Sequence, residues 1–574
     1  MSGPASRRGP VIARSLFYAV LLAYLASVGQ WGLPTVHAFY DGVAMRDSCT
    51  VWDSLTWDVR DGRHFLPAAF LGANEGPLQV LVLNLYCHAV GDLLPLNPRT
   101  MQIPNTILAL LIAWMAFVLG RSIHSERFGY LCALSFVVVP WLVGTIRYPW
   151  VFNLLSVLCE FTVIWLYVRF SGEPERRWLR IAAPASLALY LLTGLDWPSF
   201  LFALGLLLLL SGRLRPALRN VWNALPLAVI VVFAVWATAL FVYGRYYAPH
   251  HADLYQRALL VFPFFKVMGA GSLPGPARMI EYAWITFGPA LLVALAGVVA
   301  AMVSRGRPAP AAITSPAAIE ALLPKILTAM AVWLIAALIP LLRTSNAPSY
   351  GYVLAVPMAI MSACLLVSVR APVAALLVAA TLVCQLRQVP VYMTVADSAR
   401  NRVIAAATFL IEQRPDLLRA GKVALLPTDE ASNVGQYARG PYARIVMPFD
   451  YPTVLTVHGV ASKPEVLKDF VEAYERRGEI KADWVVLTSS LLDDEGSARV
   501  FFQRLRDDPR IRWIATFKES HGRDRALWVG EVAGAEADRE PALEYDVEAL
   551  ARRYEEKYDR MSYLKRDVRH VMHE

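Results

Sequence analysis

Residues 102–150 read QIPNTILALLIAWMAFVLGRSIHSERFGYLCALSFVVVPWLVGTIRYPW and decide the fold of this chain. Two apolar stretches lie on either side of a short polar turn that contains Arg121 and Arg127. A helix needs about 20 mainly apolar residues to cross a bilayer, and each stretch is long enough. The sequence therefore predicts two membrane spans, beginning near Met101 and Phe128, that reverse direction at a basic turn.

The same pattern of long apolar segments with sparse charges extends up to about residue 392. Only 18% of the 574 residues are charged, whereas a soluble protein of this length would carry about a quarter. The charge is concentrated after residue 395, so we predict a mostly α-helical, polytopic membrane domain at 1–392 and a soluble domain at 395–574. About eleven spans are predicted, beginning near Val11, Met101, Phe128, Val151, Ile181, Trp197, Leu225, Trp284, Lys325, Gly351 and Ala371.

The orientation of these spans depends on the short apolar segment Pro77–Gly91. If this segment were a span, every later loop would change sides. If it is a helix lying in the membrane interface, the short Arg-rich loops are cytoplasmic, as such loops usually are. We therefore predict an interfacial helix, and outer stretches at 32–100, 147–150, 245–283 and 343–350. The odd span count then places the soluble domain outside as well.

The soluble domain alternates short β-rich runs with helical stretches. This alternation is typical of a small α/β domain. A helix is predicted from about Ala396 and a charged helix from about Asp546. Strands are predicted at Lys422–Pro427, Trp484–Ser489, Trp513–Lys518 and Ala526–Val532. The domain contains no phosphate-binding loop and no dinucleotide fingerprint.

Charge and cysteine usage argue against two other classes of protein. The net charge of +9 comes largely from Arg residues in short loops, where they act as topology signals, so no nucleic-acid partner is predicted. The six cysteines fall singly, without the spacing of a zinc site, so no metal site is predicted. Pairing of Cys49 with Cys87 stays open.

The first outer loop contains the carboxylates that could carry chemistry. Asp58 and Asp61 are best explained as solvated loop residues. Asp47 follows Arg46 in an otherwise apolar stretch, and Glu75 lies in a Gly-Ala-Asn-Glu-Gly-Pro turn before the interfacial helix. A carboxylate between water and lipid tends to hold a proton more readily, which suits it to act as a base. Asp47 and Glu75 are therefore candidate catalytic residues.

The order of segments up to Arg147 resembles that of a known family. A membrane anchor is followed by the loop RDS…WD…DGRHFLPAAFLGANEGPLQVLVL, the span QIPNTILALL, the turn GRSIHSERFGYL and a span ending in Pro140-Trp141…Arg147. This order resembles the polyprenyl-phosphate-sugar glycosyltransferases of the GT-C fold, especially the protein mannosyltransferase and lipid A aminoarabinose transferase branch. The resemblance covers residues 11–170. It continues more weakly to about 392, through YGYVLAVPMAIMS at 350–362, and leaves out the soluble domain.

The resemblance implies roles for individual positions. Asp47 falls on the family's catalytic Asp, and Glu75 falls on the Glu of a Glu-Lys-Pro turn. Ser48 replaces the Glu that often follows the Asp, and Gly76 replaces a Lys that would touch the donor phosphate. Two further positions depart from the family's pattern. Gln102 stands where the family usually has an Arg, and in this chain Arg99 lies one turn earlier. Asn153 stands near the family's second acidic site.

Cations and aromatic residues of the other outer stretches are candidates for binding the donor phosphate and the acceptor. A guanidinium binds phosphate through two hydrogen bonds, although Arg147 at a span end could equally contact lipid headgroups. The loop 245–283 is either a lid or an amphipathic interfacial helix. Glu160, inside an apolar segment, has either a functional or a structural role. The candidate phosphate ligands are Arg147, Arg343 and Arg257, and the candidate acceptor or lid residues are His250, His251, Tyr350 and Tyr352.

The resemblance implies a glycosyltransferase on the outer face of a bacterial inner membrane, with Asp47 as general base and inversion at the sugar carbon. The implied partners are a polyprenyl-phosphate sugar, the lipid bilayer, and a lipid, glycan or protein acceptor. No cofactor is assigned, and a divalent cation at Asp47 stays open. The alternatives are an oligosaccharide ligase or polymerase that uses a diphosphate-linked glycan, a transporter or flippase, and a non-catalytic scaffold. The chain lacks the internal repeat usual in transporters.

Overall fold

The computed structural model describes residues 103–146, 152–193, 197–232, 276–303, 322–342, 351–418, 482–489, 497–518, 526–533 and 541–557, together with isolated positions elsewhere. Helices make up most of the part before residue 414. Their bounds are Ile103–Ile123 (α1), Glu126–Val137 (α2), Pro140–Ile146 (α3), Phe152–Gly172 (α4), Arg177–Leu191 (α5), Trp197–Leu210 (α6), Leu214–Leu218 (α7), Val221–Val232 (α8), Pro276–Phe287 (α9), Pro289–Val303 (α10), Leu323–Leu342 (α11), Ala355–Ser368 (α12) and Ala371–Gln413 (α13). A 3-10 turn at Gly351–Leu354 precedes α12.

Among the described residues, three helical stretches are long and apolar enough to cross a membrane, judged by length and composition. They are Ile103–Ile123, Leu154–Gly172 and Gly351–Ser368. Five shorter apolar helices accompany them, at Ser199–Leu210, Val221–Val232, Pro289–Val303, Leu323–Leu338 and Ala371–Arg387. The apolar helices fit a membrane protein, and the count of eleven spans stays a prediction.

Local sequence explains where the first helices end. Ser125 begins α2 as its N-cap, and its hydroxyl accepts a hydrogen bond from the Phe128 N–H at 3.3 Å, which satisfies one of the free N–H groups of the first turn. The predicted span from Phe128 is broken in two, because Pro140 has no N–H to continue α2 and instead begins α3. The sequence reading did not include this break.

Glycines bring two pairs of helices into close contact. In α1 and α2, a Cβ on Gly129 would lie 2.6 Å from the Phe117 carbonyl oxygen. In α10 and α12, a Cβ on Gly297 would lie only 1.9 Å from the Met361 carbonyl oxygen. Small residues at such positions let helix backbones approach each other, which is how helices in membranes commonly pack.

The basic turns share one end of the bundle, which we call the basic end. Arg213 Nε donates to the Ser171 carbonyl oxygen at 3.1 Å, which ties the turn after α6 to the end of α4. Asn220 Nδ2 donates to the Arg180 carbonyl oxygen at 2.6 Å, which ties the turn before α8 to α5. The structure therefore brings together stretches predicted to lie on one side of the membrane, and the identity of that side stays a prediction.

The described positions within the predicted interfacial segment 77–91 are helical. Leu78, Val82 and Tyr86 pack against the main hydrophobic core, whereas Leu85 is 58% exposed. Residues four apart share a face of a helix, so one face of the segment lies on the bundle and another points away from it. The placement of this segment along the membrane surface stays a prediction.

The predicted final span and the helix predicted to open the soluble domain are one element. Separate helices were predicted from Ala371 and from about Ala396, but α13 runs unbroken for 43 residues, about 64 Å at 1.5 Å per residue. The change from apolar to charged sequence near Val395 therefore does not end the helix. Its C-terminal part, including Phe409, joins a second hydrophobic core.

The second core lies between α13 and a mixed five-stranded sheet. The strands are Ala424–Leu425 (β1), Trp484–Thr488 (β2), Ile511–Lys518 (β3), Ala526–Val532 (β4) and Leu543–Glu544 (β5), in the spatial order β1-β2-β4-β3-β5. The β1–β2 and β3–β5 pairs are parallel, and the β2–β4 and β3–β4 pairs are antiparallel. The four predicted strands are confirmed. The strand β5 and the helix Ser497–Arg506 (α14) were not predicted.

The last described helix, Val547–Lys557 (α15), confirms the charged helix predicted from about Asp546. The Asp546 carboxylate accepts a hydrogen bond from the Ala549 N–H at 3.0 Å, the usual contact of a helix N-cap. Glu412 of α13 pairs with Arg553 at 2.9 Å and with Lys557 at 3.1 Å. These ion pairs and the shared core fix α15 against the end of α13.

Candidate functional site

Several chain segments meet at the end of the bundle opposite the basic end, which we call the converging end. Leu78 N donates to the Leu192 carbonyl oxygen at 2.9 Å, which ties the interfacial segment to the end of α5. Asn105 Nδ2 donates to the Thr145 carbonyl oxygen at 3.2 Å, which ties the start of α1 to the end of α3. The predicted outer stretches 32–100 and 147–150 therefore border elements that contact one another.

The short helix α3 is the central element of the converging end. Gln385 of α13, which is 1% exposed, contacts the backbone just before α3. The Gln385 amide nitrogen donates to the carbonyl oxygens of Val137 and Val139, each at 3.0 Å. Both carbonyls lie at the break between α2 and α3. The Val137 carbonyl belongs to the last turn of α2, where the carbonyls of a helix lack intrahelical partners. The Tyr24 hydroxyl donates to Gln385 Oε1.

Aromatic side chains pack tightly where α3 meets the 3-10 turn and α9, and we call this contact surface the wall. The Trp141 ring lies 6.4 Å from the Tyr352 ring, measured between centroids, and both side chains are buried. A Cβ on Gly351 would lie 2.8 Å from Trp141 Cδ1 and 2.6 Å from Thr286 Cγ2. Position 351 therefore leaves no room for a side chain unless its neighbours move. This contact joins α3, α9 and the 3-10 turn into one wall.

A buried polar network lies beneath this wall, between α4 and α5. The Tyr190 hydroxyl donates to Glu160 Oε1 at 3.3 Å, and Glu160 is fully buried. One turn nearer the converging end, the Ser156 hydroxyl donates to Thr193 Oγ1 at 3.1 Å. A buried carboxyl group needs such hydrogen bonds because burial removes its contact with water. The structure gives Glu160 a hydrogen-bonding role between two helices.

Of the predicted site residues, the structure describes Tyr352. Its side chain is 4% exposed and belongs to the main hydrophobic core, so it contributes to the wall behind α3. The other predicted site residues lie outside the described part of the chain: Asp47, Glu75, Arg147, Arg257, Arg343, His250, His251 and Tyr350. In sequence, Arg147 follows the last residue of α3, Arg343 follows the last residue of α11, and Tyr350 precedes the 3-10 turn.

Sequence reasoning missed three residues at this end: Gln385, Asn105 and Trp141. Gln385 and Asn105 are amides inside apolar segments, and such polar residues usually hydrogen-bond across helices in membranes. That signal was available in the sequence. Trp141 had no signal of its own, because aromatic residues are common at the ends of membrane spans.

The described contacts at the converging end are made by uncharged polar and aromatic side chains. No group of three or more His, Cys, Asp or Glu residues able to hold a metal ion occurs within the described residues. The described cysteines, Cys132, Cys159, Cys364 and Cys384, are free thiols. The carboxylates and guanidinium groups expected to carry the chemistry belong to the outer stretches.

No family model matches the chain, and no curated protein matches it. Among solved structures, the chain is similar to the oligosaccharyltransferase of Archaeoglobus fulgidus in the apo form, with 14% identity and a TM-score of 0.46 over 92% of this chain and 75% of that one. It is also similar to ArnT from Cupriavidus metallidurans bound to undecaprenyl phosphate, with 12% identity and a TM-score of 0.44 over 90% of this chain and 98% of that one.

A third similar structure is the archaeal oligosaccharyltransferase AglB from Archaeoglobus fulgidus in complex with an inhibitory peptide and a dolichol-phosphate. Its identity is 15% and its TM-score 0.44, over 82% of this chain and 69% of that one.

Proposed function

We propose that this chain is a membrane glycosyltransferase of the GT-C type. It transfers a sugar from a polyprenyl-phosphate donor to a lipid, glycan or protein acceptor. The proposal places the converging end and the soluble domain outside a bacterial inner membrane. The order of motifs in the first outer loop supports the class, and the geometry of the converging end supports the location of the reaction.

The observation that carries the proposal is that the elements bordering the predicted site residues contact one another. The interfacial segment begins two residues after Glu75 and is hydrogen-bonded to the end of α5 through Leu78 and Leu192. The helix α3 ends one residue before Arg147, and its Trp141 packs on the 3-10 turn that begins one residue after Tyr350. A donor phosphate at this end would therefore be within reach of several outer stretches at once.

In the proposed reaction, the Asp47 carboxylate accepts the proton of an acceptor hydroxyl. The hydroxyl oxygen forms a bond to the anomeric carbon, while the bond from that carbon to the donor phosphate oxygen breaks and its electrons leave with the phosphate. Attack from the face opposite the leaving group gives inversion. The product lipid is a polyprenyl monophosphate.

The leaving group is already a phosphate, so the site needs cations beside it more than it needs a general acid. Arg147, Arg343 and Arg257 are the proposed phosphate ligands, because a guanidinium and a phosphate form paired, charge-assisted hydrogen bonds. Glu75 is proposed to orient the acceptor or Asp47. His250, His251 and Tyr350 are proposed to close over the acceptor, with Tyr352 supporting the wall behind them.

The experiment is a transfer assay with the purified full-length protein and short-chain polyprenyl-phosphate sugars, with the anomeric configuration of the product determined by NMR. The proposal predicts transfer with inverted configuration and release of polyprenyl monophosphate. A parallel reaction with a diphosphate-linked glycan separates this function from that of a ligase or polymerase. Turnover of the diphosphate donor alone would contradict the proposed donor class, and retention of configuration would contradict the single-displacement mechanism.

A further inference from the structure

Gln385 has a hydrogen-bonding arrangement that joins three parts of the bundle. It lies on α13, its side chain is almost fully buried, and its amide group contacts both the break between α2 and α3 and the N-terminal segment. Both amide hydrogens are used, one on Val137 O and one on Val139 O. A buried amide with both hydrogens donated is well satisfied, and losing one partner leaves the other group unsatisfied.

The two carbonyl oxygens that accept from Gln385 belong to the end of α2 and to the start of α3. Val137 is the last residue of α2, and Val139 O also accepts a hydrogen bond from Leu142 N at 3.0 Å as α3 begins. The Gln385 amide therefore bridges the final carbonyl of one helix and the first carbonyl used by the next. Because Pro140 breaks the backbone ladder between them, the Gln385 amide is a side-chain contact that spans the break between α2 and α3.

At its other end, α3 is held by Asn105 Nδ2, which donates to Thr145 O at 3.2 Å. The Thr145 hydroxyl donates to Trp141 O at 3.1 Å within α3 itself. Trp141 in turn packs against Tyr352. A change in the direction of α3 would therefore move Trp141 against the wall of the converging end. Seven residues long, α3 has too few internal hydrogen bonds to hold its direction alone.

We propose that Gln385 is a positioning residue for the converging end: its amide fixes the direction of α3 and thereby the wall formed by Trp141 and Tyr352. The link to donor binding rests on the proposed function, whereas the effect on α3 does not. Gln385 acts through α3 and does not touch the substrate.

The test compares Gln385→Met with Thr381→Val in the full-length protein. Methionine keeps the length and volume of the side chain but cannot donate a hydrogen bond. Thr381 is the matched control, because it is buried one turn away on the same helix and its hydroxyl donates at 2.9 Å to Leu377 O of α13 itself. Any general effect of removing a buried polar group from α13 should appear in both variants.

Two measurements are made on each variant. The first is amide hydrogen exchange in α3, which needs no substrate. We expect exchange at residues 141–146 to become about tenfold faster in Gln385→Met and to stay at the wild-type rate in Thr381→Val. The second is the donor KM, which we expect to rise about tenfold in Gln385→Met with a smaller change in kcat, because removing the amide displaces the wall. Gln385→Glu, which when protonated restores one donor, should recover part of both effects.

Unchanged exchange in α3 of Gln385→Met would overturn the inference whether or not the chain transfers sugar. Faster exchange with an unaltered donor KM in an active enzyme would overturn the link between Gln385 and the donor site. An equal effect of Thr381→Val on exchange would show that Gln385 has no special role. If the wild-type protein transferred no sugar, the proposed function would fail, and the exchange result would still decide the positional claim.

Discussion

Substitution of Gly297 by Ala tests the helix packing on which the account depends. Gly297 lies in α10, and a Cβ built there would lie 1.9 Å from the carbonyl oxygen of Met361 in α12. Ordinary van der Waals contact begins at about 3.4 Å, so the added methyl group falls about 1.5 Å too close. The neighbouring atoms belong to the backbone of α12 and cannot rotate away. The helices must therefore separate.

Overpacking a well-packed core costs about 1–3 kcal/mol, and more where the obstacle is rigid. Alanine in place of glycine gains back roughly 1 kcal/mol of helix propensity. Since the obstacle here is backbone, we expect the upper part of this range and a net loss of about 2 kcal/mol. In a protein of this size, such a loss lowers the apparent unfolding temperature by roughly 1–2 °C.

The assay is thermal unfolding of the purified protein in detergent or nanodiscs. The matched control is Gly205→Ala in α6, where a Cβ would meet no other atom within 4 Å. This control keeps the gain in helix propensity without the clash, so its unfolding temperature should equal or slightly exceed that of the wild type. If Gly297→Ala were as stable as Gly205→Ala, the close contact between α10 and α12 would be wrong.

Two further predictions concern the wall and the soluble domain. Gly351→Ala places a Cβ against the movable side chains of Trp141 and Thr286. We therefore expect a loss of stability of about 1–2 kcal/mol and a several-fold lower transfer rate. A wild-type rate in the transfer assay would show that the wall does not influence the site. For Glu412, burial alone would raise the pKa of the carboxyl group, but the hydrogen bonds from Arg553 and Lys557 outweigh burial and hold the pKa below its usual value. Its stabilising effect, up to about 1 kcal/mol for a pair of this exposure, is therefore fully present above the ordinary pKa of glutamate and is lost as the pH falls through the lowered pKa. In acid-unfolding curves, Glu412→Gln should flatten the pH dependence in this range, whereas a curve parallel to the wild type would contradict the ion pairs.

The sequence allowed the helical membrane class, most helix positions and four of the five strands to be predicted. These features follow from local signals: apolar length for the spans, and β-rich runs such as Trp484–Ser489 for the strands. The strand Leu543–Glu544 was missed because no β-rich run surrounds it: residues 541–546 read PALEYD, whereas the equally short β1 lies in the apolar run KVALLP at 422–427. The position of β5 depends on pairing with β3, which is a tertiary contact.

The features that shape the converging end were harder to predict because they depend on contacts between distant residues. The break at Pro140 has a local cause, but its direction depends on Gln385, almost 250 positions away in the sequence. The unbroken helix α13 was divided in the prediction because charge and apolarity were used as markers of helix ends. The candidate catalytic residues Asp47 and Glu75 came from their sequence context at the membrane interface and from a resemblance, and their roles stay predictions.

The central claim is that a carboxylate in the first outer loop acts as the base in sugar transfer. The most direct measurement is the single-turnover transfer rate of Asp47→Asn, with Asp58→Asn from the same loop as the control. Loss of a general base typically lowers a rate by about 100- to 10,000-fold. The account predicts a loss of this size in Asp47→Asn and a wild-type rate in Asp58→Asn. Full turnover by Asp47→Asn would contradict it.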